Sequence, residues 1–332
     1  MIDGRKWTKL AAFALATSAL IGYAAVATAE DETLGTRHGA SWLFPGQGAR
    51  AIALQAFSPL AAGVPAITTN PAGLGGSTDT ELAIFTQDSP LDIRRNAFGV
   101  ALGYVGGENG SLGISWRNVS VGDSDDAPFE LTDLQGNTHG SLGYASNAVD
   151  LAYGHKVSDE FQFGLAVGML FDKFDGVDED YPDDASASGF GGVTLGVQGL
   201  IADTLHYGLS ARNLGGKLGE GETEPIISAG VAVTYPSYDG VLMAAEIEQM
   251  LVNLINAGGE STRLVKFGVE YSINPVCLRL GTSQSSDRSA WYTGIGVNFG
   301  SLALDYAYQL SNQAASSLAE VPRHFVSIGY QY

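Results

Sequence analysis

The chain has 332 residues, 45% of them hydrophobic and only 16% charged, with 44 glycines, 14 Tyr, 14 Phe and a single Cys, whereas about a quarter of the residues of a soluble protein are charged. A formal net charge of −19 argues against nucleic acid as a partner, because neutralising phosphates takes clustered Lys and Arg. Mean hydropathy is +0.07, yet no apolar run of roughly 20 residues follows the first thirty, so helical membrane spans are not expected in the mature chain.

At the N-terminus Arg5, Lys6 and Lys9 precede an apolar stretch from Leu10 to Val26, then Ala27-Thr28-Ala29 and the acidic Glu30-Asp31-Glu32. This is the tripartite pattern of a secretion signal over residues 1–29, cleaved after Ala29; an uncleaved anchor is the alternative, and either way the chain is exported. Cleavage removes three basic residues and one acid, taking the net charge from −19 to −21.

Residues 30–80 neither alternate in hydrophobicity nor carry the charge of a disordered segment. Gly48 to Leu60 mixes Ala, Ile, Leu and Phe and suggests a short helix before a turn at Asn70-Pro71-Ala72-Gly73. A globular piece of this kind ahead of a strand-rich region is a candidate plug. In the turn, Pro71 would stiffen the backbone and Gly73 would adopt angles that other residues resist.

From residue 81 to 332 the pattern becomes segments of roughly 8 to 12 residues with period-two hydrophobicity, the length at which a tilted strand crosses a bilayer. In 161–171, Phe161, Phe163, Leu165, Val167, Met169 and Phe171 share one face, and Gln162, Gly164, Ala166 and Gly168 the other. The large apolar face is continuous and aromatic-tipped, while the opposite face is Gly, Ala and Ser with occasional charges, as expected of a lipid-facing exterior around a polar lumen that small residues leave roomy. Fourteen such segments lie near 81–88, 97–105, 111–119, 148–156, 161–171, 188–199, 205–213, 226–235, 240–249, 262–273, 275–282, 289–298, 300–309 and 323–332. The number is even, as bacterial barrels require, and short connections alternate with longer ones such as 120–147, 172–187, 214–225, 250–261 and 310–322. The predicted fold is therefore all-β, a transmembrane antiparallel β-barrel of fourteen strands with a small N-terminal plug.

The strand phase places Arg117, Asp150, Arg212, Glu246, Glu248, Lys266, Glu270, Arg279 and Asp305 on the inner face, because a basic residue facing lipid would cost about 2–4 kcal/mol at the midplane. They read as a polar network inside the lumen, holding plug and barrel or forming a track for a permeant. The longer loops carry acids, among them Asp123, Asp172, Asp180, Glu220 and Glu224, a solvated surface or a place for divalent cations beside lipopolysaccharide.

Nothing points to catalysis or to a cofactor. His38, His139, His155, His206 and His324 are scattered, Cys277 stands alone, and no Cys/His cluster has zinc-ligand spacing. Phe44-Pro45-Gly46-Gln47-Gly48 looks like the opening of an acyl-carrier-protein transacylase. The nucleophile elbow that would go with it is missing, since Gly113-Ile114-Ser115-Trp116-Arg117 and Gly208-Leu209-Ser210-Ala211-Arg212 both lack the second glycine. The last strand, Arg323 to Tyr332, ends on an aromatic and resembles the signal read by the barrel-assembly machinery.

The Ala-rich stretch 48–69 followed by Asn70-Pro71-Ala72-Gly73-Leu74 resembles the plug motif of the FadL-type outer-membrane transporters of hydrophobic compounds. Lys266-Phe267-Gly268-Val269-Glu270-Tyr271, Leu278-Arg279-Leu280-Gly281, Gly294-Ile295-Gly296-Val297 and Leu304-Asp305-Tyr306-Ala307-Tyr308 resemble the last strands of the PorV/PorQ-like branch of that superfamily. The resemblance implies an outer-membrane barrel of a diderm bacterium, with residues 70–74 in structural gating. It implies one of two activities: passage of a hydrophobic ligand through the lumen and a lateral wall opening, or service as a secretion accessory that binds exported protein cargo. A purely structural envelope barrel is a third reading. Where the family commonly has two aspartates ahead of the Asn-Pro-Ala, this chain has Ala62-Gly63.

Overall fold

Hydrocarbon offers no hydrogen bonds, so a sheet that crosses it must pair every backbone N–H and C=O and can have no free edge. In the computed structural model, which describes residues 48–89, 93–105, 110–121, 129–132, 138–176, 185–201, 204–219, 221–235, 240–251, 263–285, 289–312 and 323–332, the sheet meets that requirement by closing. The wall strands are β1 (Glu81–Ser89), β2 (Ile93–Leu102), β3 (Gly110–Val121), β5 (Thr138–Ser158), β6 (Phe161–Gly176), β7 (Ala185–Ile201), β8 (Leu205–Leu214), β11 (Ile226–Thr234), β12 (Val241–Met250), β13 (Arg263–Ile273), β14 (Val276–Gln284), β15 (Ser289–Phe299), β16 (Leu302–Asn312) and β17 (Arg323–Gln331). Each pairs antiparallel with the next, and β1 pairs with β2 on one side and β17 on the other, so fourteen strands form a closed ring. Three short strands, β4 (Phe129–Thr132), β9 (Lys217–Leu218) and β10 (Gly221–Glu222), are hairpin additions at the loop end.

All fourteen expected segments are strands, but several boundaries move. β2 begins at Ile93, four residues ahead of the expected start, so its connection from β1 is only residues 90–92 and departs from the alternation of short and long connections. β5 has 21 residues, β6 has 16 and β7 has 17, and they extend into stretches that read as loop. Residues such as Thr138-His139-Gly140-Ser141 show no alternation because, beyond the lipid, a strand needs only its ladder and no apolar face. The ladder itself is irregular beside Gly191 and Gly192, where the β6–β7 and β7–β8 registers both shift.

Burial follows the alternation. On β1 and β2 the outward Ile84 and Phe98 are 55% and 44% exposed, while the inward Phe85 and Ala97 are 8% and 6% exposed. A face this apolar and this continuous is stable only against lipid.

Residues 48–80 supply the helical region inside the ring: α1 (Ala49–Leu54), a 3-10 turn η1 (Ser58–Leu60), α2 (Gly63–Thr69) and a second 3-10 turn η2 (Pro71–Gly76). The expected single helix over Gly48 to Leu60 is thus a six-residue helix and a separate turn. The segment then joins the wall, with Thr80 and Tyr332 exchanging backbone hydrogen bonds at 3.0 and 3.2 Å.

The inner glycines correct the expectation of a roomy lumen, because the plug occupies the space they leave. A Cβ on Gly99 would lie 2.4 Å from Val64, on Gly164 2.2 Å from the Pro71 backbone, on Gly208 2.4 Å from the Ser58 carbonyl and on Gly281 2.3 Å from the Ala53 carbonyl. Gly113, Gly154, Gly196, Gly230, Gly268 and Gly294 stand in the same relation to other plug atoms. The small residues of ten strands therefore form a seat for the plug, whose backbone rests directly on Gly154, Gly164, Gly208, Gly268 and Gly281 and whose side chains fill the space at the other five. Gly164→Val is expected to cost about 1–3 kcal/mol or more through overpacking, read as a lower transition temperature for the heat-modifiable band on SDS gels. Gly76→Ala, where the new methyl meets only the Gln162 side chain at 3.5 Å, should leave that temperature unchanged.

Candidate functional site

The Asn70-Pro71-Ala72-Gly73-Leu74 motif is fully inside, and each residue has a packing reason. Asn70 is wholly buried; its Nδ2 donates to the carbonyls of Ser58 (3.0 Å) and Val197 (3.2 Å), and its Oδ1 accepts from the Ala72 amide (3.3 Å), capping η2. One side chain thus ties η1, η2 and β7 together. Pro71 occupies the first position of η2, where its missing N–H costs nothing. Leu74 is 0% exposed and packs with Ile67 and Val64. Gly73 corrects the sequence reading: its φ lies outside the left-handed region, and it is glycine because a Cβ would lie 2.1 Å from the Ala61 carbonyl oxygen. Where the family's aspartates would stand, Gly63 has a φ of 58° and leaves room for the Glu81 carboxylate, which accepts a hydrogen bond from the Val64 amide. The acid at the start of α2 thus comes from the wall.

All nine charged residues placed inward by phase do face inward, and they divide into three groups. Arg117 and Asp150 form a bidentate pair at 2.9 and 3.0 Å, with the Ser115 hydroxyl also donating to Asp150 at 3.3 Å. Arg212 and Lys266 converge on Glu248, the lysine at 2.9 Å and also 3.6 Å from Glu246. The second Glu246 oxygen accepts the amides of Phe57 (3.1 Å) and Ser58 (2.7 Å), so this group grips the plug backbone. In the third group Arg279 donates to Glu270 and Asp305, both at 2.5 Å, and Arg50 of α1 closes a fork on Glu270 at 2.9 and 3.0 Å. Buried charges survive only when paired and hydrogen-bonded, and here the pairing is completed by the plug.

Two cavities flank α1. The one at the turn end, about 530 Å³, is bounded by Arg50, Val64, Glu81, Cys277, Arg279 and Asp305 among others. The one at the loop end, about 310 Å³, is bounded by Ile52, Gln55, Gln87, Arg95, Lys266, Tyr292 and Arg323 among others. Arg50 faces the first, Ala51, Ile52 and Gln55 face the second, and Phe57 lines both. Helix α1 and Phe57 therefore stand between them.

Several of these residues escaped the sequence reading. Arg95 shares the inward phase of Ala97 and Gly99, and a β2 started at Ile93 would have shown it; Arg323 likewise shares the phase of Phe325. Arg50 lies in a helix of the plug, where strand phase gives no signal. Among the described residues the histidines do not converge: His139 and His155 lie on β5, His206 on β8 and His324 on β17, and His38 lies outside those residues. Among the described residues no three His, Cys, Asp or Glu side chains are placed to hold a metal ion. The secretion signal, Phe44 to Gln47, and loop acids such as Asp123, Asp180 and Glu220 lie outside the described residues. Asp172 is within them and accepts from Tyr144 at 2.9 Å and from Ser146.

Replacing Glu246 by Ala removes the one oxygen that accepts both the Phe57 and Ser58 amides. Since a hydrogen bond to a charged group contributes about 1.5–3 kcal/mol, amide exchange at 57–58 should accelerate roughly tenfold or more, while exchange in β5 and β6 stays as it was. Unchanged exchange at 57–58 would count against the anchoring described above.

The sequence matches no protein-family profile and no curated protein. Solved structures do match. The Pseudomonas putida toluene transporter TodX superposes with a TM-score of 0.64 at 11% identity, over 86% of this chain and 99% of that one. The Ralstonia pickettii toluene transporter TbuX gives 0.59 at 13% identity, over 86% and 98%. A Pseudomonas aeruginosa FadL homologue gives 0.58 at 11% identity, over 87% and 98%. The chain therefore has the FadL-type fold, a fourteen-stranded antiparallel barrel with an N-terminal helical region inside it.

Proposed function

We propose that the protein is a FadL-type barrel of the outer membrane that passes hydrophobic small molecules, with residues 48–76 as the gate. The observation that carries this reading is the pair of cavities on opposite sides of α1, with Phe57 lining both. The charged fastenings of the gate include Glu246 to the Phe57 and Ser58 amides and Arg50 to Glu270, and neutral hydrogen bonds of Ser327, Asn70 and Gln198 add to them. Elsewhere its apolar side chains pack against glycines and alanines of the wall. Asn70 ties η1 and η2 to each other and to β7. The toluene transporters that share the fold agree with a hydrophobic cargo. Export through the signal at 1–29 and insertion by the barrel-assembly machinery through β17 would bring the chain to its membrane, with lipopolysaccharide around the loop end.

A second reading, an accessory or shuttle of a secretion system, is favoured by the resemblance of β13 to β16 to the PorV/PorQ-like branch. In that case the seated plug would be permanent, and exported protein would bind at the loop end.

Proteoliposomes with a lipopolysaccharide outer leaflet distinguish the two, because that leaflet resists hydrocarbons that cross phospholipid freely. The protein should take up labelled toluene faster than an unrelated barrel of similar size, and Arg50→Ala, which removes one fastening, should raise the initial rate several-fold. Uptake no faster than the unrelated barrel would remove the transport reading, and recovery of exported proteins sharing a C-terminal domain in a pull-down would then favour the second.

A further inference from the structure

Among the described residues, the loop-end cavity carries more positive than negative charge. Four basic side chains, Arg95, Arg212, Lys266 and Arg323, line it against two carboxylates, Glu246 and Glu248. Those carboxylates are already engaged by Arg212, Lys266 and the plug amides. Arg95 and Arg323 have no carboxylate partner among the described residues. Arg95 donates to Gln87 at 3.1 Å, its Nε is buried without an acceptor, and Arg323 stands near enough to repel it. The Nε of Arg212, on the same cavity, is also buried without an acceptor.

The register explains how the two arginines come together. Gln87 of β1 faces Arg95 of β2 on one side and Phe325 of β17 on the other, and Arg323 is the next inward residue of β17, opposite Gln309. Two like charges set side by side in a lumen are unfavourable unless an anion joins them. Guanidinium groups match the planar, two-oxygen geometry of a carboxylate. The same cavity also has apolar walls, among them Phe57, Phe325, Ile52 and Leu264. In a chain of net charge −19, such a basic pocket with apolar walls is a local exception.

We propose that the loop-end cavity binds a compact amphipathic organic acid, its carboxylate held between Arg95 and Arg323 and its apolar body against Phe57 and Phe325. The site deepens the transport reading and rests on it for the passage that follows binding. It also separates this protein's cargo from the neutral hydrocarbon carried by the toluene transporters that share its fold.

Calorimetry on the full chain in lipid nanodiscs, with empty discs subtracted, tests it with benzoate and its neutral analogue benzyl alcohol. Benzoate should bind about tenfold more tightly, the effect of one or two charge-assisted hydrogen bonds, and added salt should weaken benzoate alone. Arg95→Gln and Arg323→Gln should each remove most of that preference and leave benzyl alcohol binding as it was. Arg94→Gln, on the outward face of the same strand, should change neither and controls for folding. Equal binding of acid and alcohol, or an unaltered preference in both inward variants, would overturn the proposal. So would tighter binding of inorganic phosphate than of benzoate, which would make the site one for a bare anion. Loss of the benzoate preference with hydrocarbon uptake intact removes the acid site and spares the passage; the expected preference with no uptake of any compound does the reverse.

Discussion

The structure depends on the closure of its hydrogen-bonded ladder. Because no N–H or C=O can face hydrocarbon unpaired, the first strand must meet the last, and β1 does so by pairing with β17 over eight residues. Closure then divides the side chains without exception: whatever lies on one phase meets lipid, and whatever lies on the other meets the lumen. The outer phase is large and apolar. The inner phase must both hold a plug and house the nine charges paired across the lumen, and its glycines and ion pairs are two answers to that demand.

These two answers differ in kind. The glycines let plug backbone come within contact of wall backbone, which favours close fit but offers no directional hold. The charges supply direction. Glu246 accepts two consecutive amides after α1, and Glu270 receives the Arg50 fork from within α1, so the segment 50–58 is gripped at both ends. Removing one partner of such a buried group is costly because the other is left unpaired.

Most of the wall could be read from the sequence because lipid imposes a strict rule on it. Segments such as 161–171 alternate without a break, and the same rule set the inward phase of Arg117, Asp150 and Lys266. Where lipid does not impose the rule, the reading weakened. The upper part of β5 has no apolar face, so it passed for loop. Arg95 fell outside a strand whose start was placed at residue 97. The glycines at 99, 164 and 281 were read as emptiness, because a missing side chain signals space without saying what fills it. Gly73 was assigned an unusual backbone angle when its constraint is the carbonyl of Ala61. Arg50 had no signal at all, since its importance lies in a partner 220 positions away.

The unequal strand lengths give the rim a direction. β5, β6 and β7, of 21, 16 and 17 residues, stand beside one another, whereas β1 has nine and β2 ten, joined by residues 90–92. The barrel thus has a palisade on one flank and a sill at β1–β2. Arg95 and Arg323 stand on the inner side of this lower flank, within two residues of the ends of β2 and β17.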